Sequence, residues 1–171
     1  MEFDTLLIAR HSIRDYLDTK IDGAKLRKII QQAMSAPSAG NLQAYRIYLV
    51  HGEKAREEML AATDFQECVR KAAMLIVFSA DQKRSESKYH ERGHELYSFQ
   101  DATIAAAYCQ LAAVNEGLGV VWVGGFEPLE VARIVDAKSY EVPVAILAIG
   151  YPNEEGEATG RRPLKEIVKE V

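Results

Sequence analysis

The stretch Ala102–Val114 constrains the fold most, because it is apolar on nearly every side and contains six alanines. A helix with this pattern is buried over most of its surface, and its small side chains let neighbouring elements approach closely. The whole chain has 171 residues, which fits a single domain spanning 1–171. In so small a protein, we expect a second subunit to cover part of this helix.

Several other segments predict helices and strands in a mixed order. Asp22 is placed to cap a helix whose apolar residues recur at helical spacing, namely Leu26, Ile29, Ile30, Ala33 and Met34. Met74–Ala80 is an unbroken apolar run typical of a buried central strand, and Tyr45–Val50 and Val142–Ile149 predict two more strands. The order lacks strict βαβ alternation. It therefore predicts the α+β class, with a mainly antiparallel central sheet flanked by helices on both sides.

Three local patterns refine this prediction. Ser98, followed three residues later by Asp101, predicts a capping box at the start of the long helix. Pro143 near the start of its strand favours an edge position in the sheet, where a missing N–H is tolerated. The segment 152–160 is polar and is expected to be loose.

Charge and composition exclude some classes of function. The chain carries 21 basic and 25 acidic residues, a net charge of −4, so no broad basic surface for nucleic acid is expected. No apolar stretch reaches the roughly 20 residues that span a bilayer, and the acidic N-terminus does not resemble a signal peptide. Two cysteines without a C-x-x-C pairing fit a reducing compartment. We expect a cytoplasmic protein that binds neither nucleic acid nor membrane.

The segment Arg10–Arg14, with sequence RHSIR, concentrates donors suited to an anion. Its two guanidinium groups can form forked hydrogen bonds to a phosphate, and His11 and Ser12 add neutral donors. The alternative is that this positive charge merely closes the short helix predicted over Phe3–Ala9, by complementing the helix dipole.

A second motif, His90–His94, satisfies the zinc-hydrolase pattern H-E-x-x-H, with Glu116 as a nominal third ligand. The flanking residues are charged and provide no apolar helix face, and Gly93 weakens the helix between the two histidines. Solvated surface histidines are therefore the favoured interpretation, with a zinc hydrolase as a remote alternative.

Four separated stretches, taken in order, resemble the nitroreductase family of flavoproteins. They are RHSIR at 10–14, PSAGNLQ at 37–43, GLGVVWVGGF at 117–126 and RRPL at 161–164. The resemblance covers nearly the whole chain. It implies an intertwined homodimer with FMN at the subunit interface, touched by both chains.

The resemblance also implies roles for individual residues. Arg10, Ser12 and Arg161, assisted by Arg162, would bind the phosphate, whereas Arg14 would lie near the pyrimidine edge of the ring and favour its reduction. The backbone at Gly124 and Gly125 would approach the reactive ring edge at N5 and O4. Contacts from the other subunit would come from Pro37, Ser38, Asn41 and Gln43. The candidate cofactor-binding residues are Arg10, His11, Ser12, Arg14, Pro37, Ser38, Asn41, Gln43, Val123, Gly124, Gly125, Arg161 and Arg162.

The implied activity is an oxidoreductase that takes hydride from NAD(P)H and reduces a small electron-poor acceptor, such as a nitroaromatic or a quinone, in a ping-pong cycle. The flavin would supply the chemistry, so no catalytic protein side chain is assigned. A non-enzymatic flavin carrier or redox sensor is the alternative. The chain departs from the family pattern at Ala44, where proline is usual, and at Thr159, where a basic residue is frequent. Its 78–98 segment is also short, which leaves the acceptor and the choice of NADH or NADPH open.

Overall fold

The computed structural model describes residues 1–171. Its helices are α1 (Phe3–Ala9), α2 (Gly23–Ala33), α3 (Glu53–Ala62), α4 (Glu67–Lys71), α5 (Gln82–Arg92), α6 (Ser98–Asn115), α7 (Pro128–Ile134) and α8 (Leu164–Ile167). Its strands are β1 (Tyr45–Val50), β2 (Met74–Asp81), β3 (Gly119–Val123) and β4 (Glu141–Gly150). A short 3₁₀ turn at Ala39–Asn41 precedes β1, and a π-helical turn at Gly93–Tyr97 precedes α6.

The four strands form one antiparallel sheet in the order β1-β2-β4-β3. This confirms the predicted α+β class and the central position of β2. β4 pairs with β2 along its length but with β3 only over Ile146–Gly150, so Pro143 has a strand partner on one side alone, as an edge position requires. The register shifts between Phe78 and Ser79, which face Ala145 and Pro143 respectively. The missing proline N–H is therefore tolerated beside this bulge, on a stretch of β4 that β3 does not cover.

Helices cover both faces of the sheet, as predicted. On one face, α2 and α6 pack against alternate strand residues, and the largest fully buried side chains there are Ile29, Ile76, Phe78, Leu147 and Ile149. On the other face, α3, α4 and α7 pack against the intervening residues, with a core of Met59, Val69, Leu75, Val77, Val131 and Ile146. Because neighbouring residues of β2 and β4 belong to opposite layers, both central strands are apolar over most of their length.

Helix α6 is buried along most of its length, yet one side remains open in the single chain. Tyr108 is 42% exposed, and Thr103 and Ala107 are also exposed. The neighbouring helix α1 contains no buried residue, although most of its side chains are apolar. No helix is both long enough and apolar enough to cross a membrane.

The two helix starts predicted from capping patterns behave differently. At α2, Asp22 accepts hydrogen bonds from the backbone N–H groups of Ala24 and Lys25 at 2.8 and 3.2 Å, which confirms the cap. At α6, the capping box is wrong. The chain is already helical before Ser98, and the Ser98 hydroxyl donates to the carbonyl of His94 at 3.0 Å. Asp101 is therefore free to bind elsewhere.

Candidate active site

The segment after α1 runs in extended form beside the start of β3. Ser12 forms a parallel bridge with Val120, and the N–H of Ile13 donates to the Val120 carbonyl at 3.1 Å. Ile13 points inward and is 7% exposed. Gly119 leaves room for it, because a Cβ there would lie 2.7 Å from the Ile13 side chain. Fixing Ile13 in the core turns its neighbours Ser12 and Arg14 outward.

These outward side chains line a cavity of about 320 Å³ that contains no hydrophobic residue. One wall consists of Arg10, Ser12 and Arg14, so three of the predicted anion-binding residues are brought together. The remaining wall comes from the segment after β4 and consists of Glu154, Glu155, Glu157 and Thr159. Three carboxylates therefore face two guanidinium groups. The sequence motifs give no indication of these carboxylates.

The segment after β4 is held against this wall rather than loose over its whole length. The Glu154 carboxylate accepts hydrogen bonds from the backbone N–H groups of Arg14 and Asp15 at 2.5 and 3.2 Å. The N–H of Asn153 donates to the Asp15 carbonyl at 3.0 Å. Hydrogen bonds from Lys71 and Asn153 lower the pKa of Asp15, which keeps this carboxylate charged beside the cavity. The prediction of a loose connection is therefore wrong for its first half.

His11 does not line the cavity. Its Nδ1 donates to the backbone carbonyl of Glu157 at 2.9 Å, and Gly156 lies directly against its ring, where any larger residue would collide. The sequence predicts that His11 donates a hydrogen bond to a bound anion. The structure instead gives His11 a tethering contact that holds the acidic segment next to Arg10–Arg14.

The basic pair near the C-terminus divides into two different environments. Arg161 donates to the hydroxyl and carbonyl of Thr159 at 2.9 and 3.0 Å, which places it beside a residue of the cavity wall. Arg162 turns toward α8, where it pairs with Glu166 at 3.3 Å. Only Arg161 is therefore adjacent to the predicted phosphate position in the single chain.

Gly124 and Gly125 follow β3 directly and are exposed. Neither has a positive φ, and a Cβ would meet its nearest neighbours at 3.6 and 3.7 Å, which is ordinary contact. The chain's own packing therefore does not require glycine here, which favours close approach by an external group. Val123 is 2% exposed, so its side chain belongs to the core and only its backbone is available to a ligand. Gln66, which the sequence did not single out, donates to the Gly125 carbonyl at 2.9 Å.

The loop 37–43 precedes β1 and has an unusual backbone. Gly40, Asn41 and Gln43 have φ values of 55°, 57° and 50°. Such left-handed conformations cost non-glycine residues about 1–3 kcal/mol each, so the surroundings must enforce them. Within the loop, the N–H of Gln43 donates to the Ser38 hydroxyl at 2.9 Å. Pro37 and Asn41 are exposed, whereas Ser38 and Gln43 are half-buried.

The buried carboxylate of Asp101 on α6 binds both ends of this loop. One oxygen accepts from the N–H of Ala39 at 2.9 Å and the other from the N–H of Ala44 at 3.1 Å. The sequence could not assign this contact, because it joins residues about 60 positions apart. The only local signal was an acidic residue inside an otherwise apolar helix.

The sheet separates the predicted site residues into two groups. Arg10–Arg14, Gly124 and Gly125 lie along β3 at one edge, whereas the loop 37–43 leads into β1 at the other. Three inter-strand steps of 4.7–4.9 Å separate the two edges by about 14 Å. The start of β1, the end of β2 and the start of β4 are in register, and β3 runs toward this end of the sheet but stops opposite Ile146. The loop and the glycine pair therefore lie toward the same end of the sheet.

The H-E-x-x-H pattern lacks the geometry of a zinc helix. His90 has φ 52° and ψ −142°, which breaks α5 at the first histidine. His94 lies in the following π-helical turn, with its Nδ1 3.6 Å from Glu86. The two imidazoles therefore do not share one α-helical face, and no three His, Cys, Asp or Glu side chains are grouped to hold a metal ion.

Comparison with known proteins agrees with this architecture. The family model of the Nitroreductase family matches residues 7–67 and 63–151. The chain belongs to the nitroreductase family. Among its relatives, an NADH dehydrogenase of Thermus thermophilus is 28% identical over 98% of this chain and 95% of its own. An FMN reductase (NADPH) of Bacillus subtilis is 25% identical over 92% of this chain and 67% of its own.

A solved relative shows the same likeness in three dimensions. The NADPH:FMN oxidoreductase of Vibrio harveyi, complexed with NAD+, superimposes with a TM-score of 0.89 at 26% identity. The match covers 98% of this chain and 76% of the Vibrio chain. The likeness to that relative therefore extends over nearly all of this nitroreductase-family chain.

Proposed function

We propose that this nitroreductase-family protein is an FMN-dependent oxidoreductase that takes hydride from NAD(P)H and passes it to a small electron-poor acceptor such as a nitroaromatic or a quinone. The observation that carries the proposal is the shared position of two motifs along β3. The cationic cavity lies near the start of this strand, and the bare glycine backbone follows its end. The names of the relatives, which include an FMN reductase and an NADPH:FMN oxidoreductase, support the same chemistry.

The residues of the cavity suit a phosphate group. Arg10 provides a forked cationic donor, the Ser12 hydroxyl adds a neutral one, and the polar lining excludes an apolar ligand. Arg161 lies beside Thr159 at the cavity wall and supplies a second cation. His11 supports this set from outside by fixing the backbone at Glu157.

The backbone beyond β3 suits the flat face and edge of a ring. Bound FMN supplies the hydride-accepting and hydride-donating chemistry, and the protein contributes binding and orientation. The exposed N–H groups at Gly124 and Gly125 are free of side-chain obstruction, so they can donate to a ring edge. Arg14 lines the same cavity, and in this proposal its fixed positive charge lies near the ring and favours the reduced, anionic form.

We propose a homodimer in which the loop 37–43 of one chain completes the site on β3 of the other. The roughly 14 Å between the two sheet edges supports this arrangement, because the two groups of residues meet more readily across an interface. The uncovered apolar side chains of α1, α6 and α8 supply the contact surface, and they include Phe3, Ile8, Tyr108, Leu164 and Ile167. The proposal further includes a single FMN-binding domain over residues 1–171 and a cytoplasmic location.

An anaerobic titration tests the activity. Purified protein loaded with FMN is titrated with NADH and, separately, with NADPH while the flavin absorbance is followed. We expect rapid bleaching by at least one donor and full recovery of colour on adding a quinone. Bound flavin that either donor reduces only over hours would indicate a carrier or redox sensor. A colourless protein that does not take up FMN would contradict the whole proposal.

A further inference from the structure

The carboxylate of Asp101 stands apart from the other acidic groups because it is buried and bonded only to a loop. The residue is 2% exposed and lies in the first turn of α6. Both oxygens accept backbone N–H groups, from Ala39 at 2.9 Å and from Ala44 at 3.1 Å. Hydrogen bonds to an ionised acceptor are about twice as strong as neutral ones. One side chain on a rigid helix therefore fixes both ends of the segment between these alanines.

The segment between the two bonds does not keep its shape by local preference. Three of its residues, Gly40, Asn41 and Gln43, are in the left-handed region of backbone space. Helix α5 covers its outer side, where Arg84 donates to the Leu42 carbonyl and Tyr89 lies against Gly40. Asp101 holds the inner side from the opposite direction. The loop is thus gripped between two helices, and only the α6 contact restrains its backbone at both ends.

We propose that Asp101 is a positioning residue for hydride transfer, which presents the amides of Asn41 and Gln43 to the flavin ring. This inference depends on the proposed function, because it assumes that the loop faces a bound flavin. Asp101 itself touches neither cofactor nor substrate and acts through the loop backbone. Its loss lets the loop relax toward ordinary φ values, which moves both amides away from the ring without touching the phosphate cavity on β3.

The experiment compares Asp101→Asn and Asp101→Ala with a matched control, Glu141→Gln. Glu141 is also a buried carboxylate, 3% exposed, and it accepts a backbone N–H, from Lys138 at 3.0 Å. It binds Tyr48 and Arg46 on the opposite side of the sheet and makes no contact with the loop. Any general loss of stability is therefore shared by the control, whereas a positioning effect is confined to the Asp101 variants.

The measurements are FMN affinity, the flavin absorbance spectrum and the single-turnover rate of flavin reduction by NAD(P)H. For the Asp101 variants we expect FMN affinity within about threefold of wild type, a shifted flavin spectrum and an about 10- to 100-fold slower reduction, because small displacements at the reacting groups are costly. We expect the control to keep the wild-type spectrum and rate. Wild-type spectrum and rate in Asp101→Asn, or an equal loss of rate in Glu141→Gln, would overturn the proposal.

Hydrogen exchange supplies a test that does not depend on turnover or on recovery of the variants. In wild-type protein without NAD(P)H, the backbone amides of Ala39 and Ala44 should exchange slowly, while the backbone amide of exposed Gly40 exchanges faster. Rapid exchange at both alanines would overturn the proposal that Asp101 holds both ends of the loop. Failure of the proposed function has a different signature, since wild-type protein would then not reduce its flavin although Ala39 and Ala44 remained protected.

Discussion

Glu154 accepts a hydrogen bond from the backbone N–H of Arg14 at 2.5 Å, so a carboxylate lies within the cavity that we propose as the phosphate site. The contact fixes the backbone from which the Arg14 guanidinium extends. It also places a negative charge beside the anion to be bound. Glu154 therefore both orders the site and weakens its attraction for phosphate.

Replacing Glu154 by Gln should tighten FMN binding. The amide oxygen of Gln can still accept the N–H of Arg14, while the charge is removed. Exposed charges of this kind contribute up to about 1 kcal/mol, so we expect about two- to fivefold higher affinity, with a smaller gain at high salt. Fluorescence titration of apoprotein with FMN measures the effect. The control is Glu130→Gln, which removes a carboxylate from α7. Weaker binding in Glu154→Gln would mean that its ordering effect exceeds its repulsion.

The two adjacent arginines near the C-terminus should differ sharply in their effect on FMN. Arg161 lies beside the cavity wall, whereas Arg162 is paired with Glu166. A charge-assisted hydrogen bond contributes about 1.5–3 kcal/mol, so Arg161→Ala should weaken FMN binding by about tenfold or more. Arg162→Ala should change it by less than about threefold. We expect Arg161→Ala combined with Arg10→Ala to leave a folded dimer with little flavin, and equal effects of the two single variants would contradict this assignment.

Local signals in the sequence were sufficient for most of the fold. Asp22 is followed directly by the residues whose N–H groups it caps, so this helix start is determined within four positions. The unbroken apolar run of β2 left only a doubly covered central strand as an interpretation. Pro143 correctly indicates a stretch of its strand without a partner on one side, because β3 pairs only with Ile146–Gly150. The sequence could not show that the same strand is central further along, since this depends on the position of β3.

The candidate site was harder to predict because its contacts are distant in sequence. The motif comparison found Arg10–Arg14 and the glycine pair, which the structure places along one strand. It missed the glutamates of the cavity, since the arrival of the 152–160 segment at Arg14 depends on contacts about 140 residues apart. Asp101 was assigned to a helix cap three residues away, although its real partners lie in another loop.

Glu141 should make the stability of the protein depend on pH in the acid range. Burial acts to raise the pKa of this carboxyl, but hydrogen bonds from Tyr48, the Lys138 backbone and Arg46 outweigh it and hold the pKa below the ordinary 4.5. A lowered pKa in the folded state stabilises the protein above the unfolded-state pKa, and this stabilisation is lost as the pH falls through the folded-state value. Glu141→Gln should therefore lower the free energy of unfolding by about 1–3 kcal/mol at pH 7.

The difference between wild type and Glu141→Gln should shrink steadily below about pH 4.5. Urea unfolding at a series of pH values measures this difference in stability. The control is Glu57→Gln, which replaces an exposed carboxylate on α3. A difference that stays constant from pH 7 to pH 3 would show that the carboxylate charge does not contribute to stability.

Gly125→Ala should separate folding from flavin chemistry. The position has no positive φ, and a Cβ would sit 3.7 Å from Gln66, so the melting temperature should stay within about 2 °C of wild type. A methyl group at the ring edge should nevertheless hold the flavin away and slow its reduction by about 10- to 100-fold. Gly23→Ala, where no atom lies within 4 Å, is the control. An unaltered reduction rate in Gly125→Ala would exclude close approach of the ring to this backbone.

Mixed dimers should reveal whether each site is shared between two chains. One chain carries Arg10→Ala with Arg161→Ala, and the other carries Asn41→Ala with Gln43→Ala. Each homodimer should be nearly inactive because both of its sites are defective. In a shared-site mixed dimer, both defects fall in one site and the second site is intact. Mixed dimers isolated from both homodimers have one intact site of two, so about half of wild-type activity should return.

The measurement is single-turnover flavin reduction after the two variants are co-expressed and purified through different affinity tags. The same two variants, mixed only after purification and without exchange of subunits, are the control and should remain inactive. If one chain supplied every contact to its own flavin, each site of a mixed dimer would still carry one defect, and no activity would return. The roughly 14 Å between the β1 and β3 edges makes recovery the expected result.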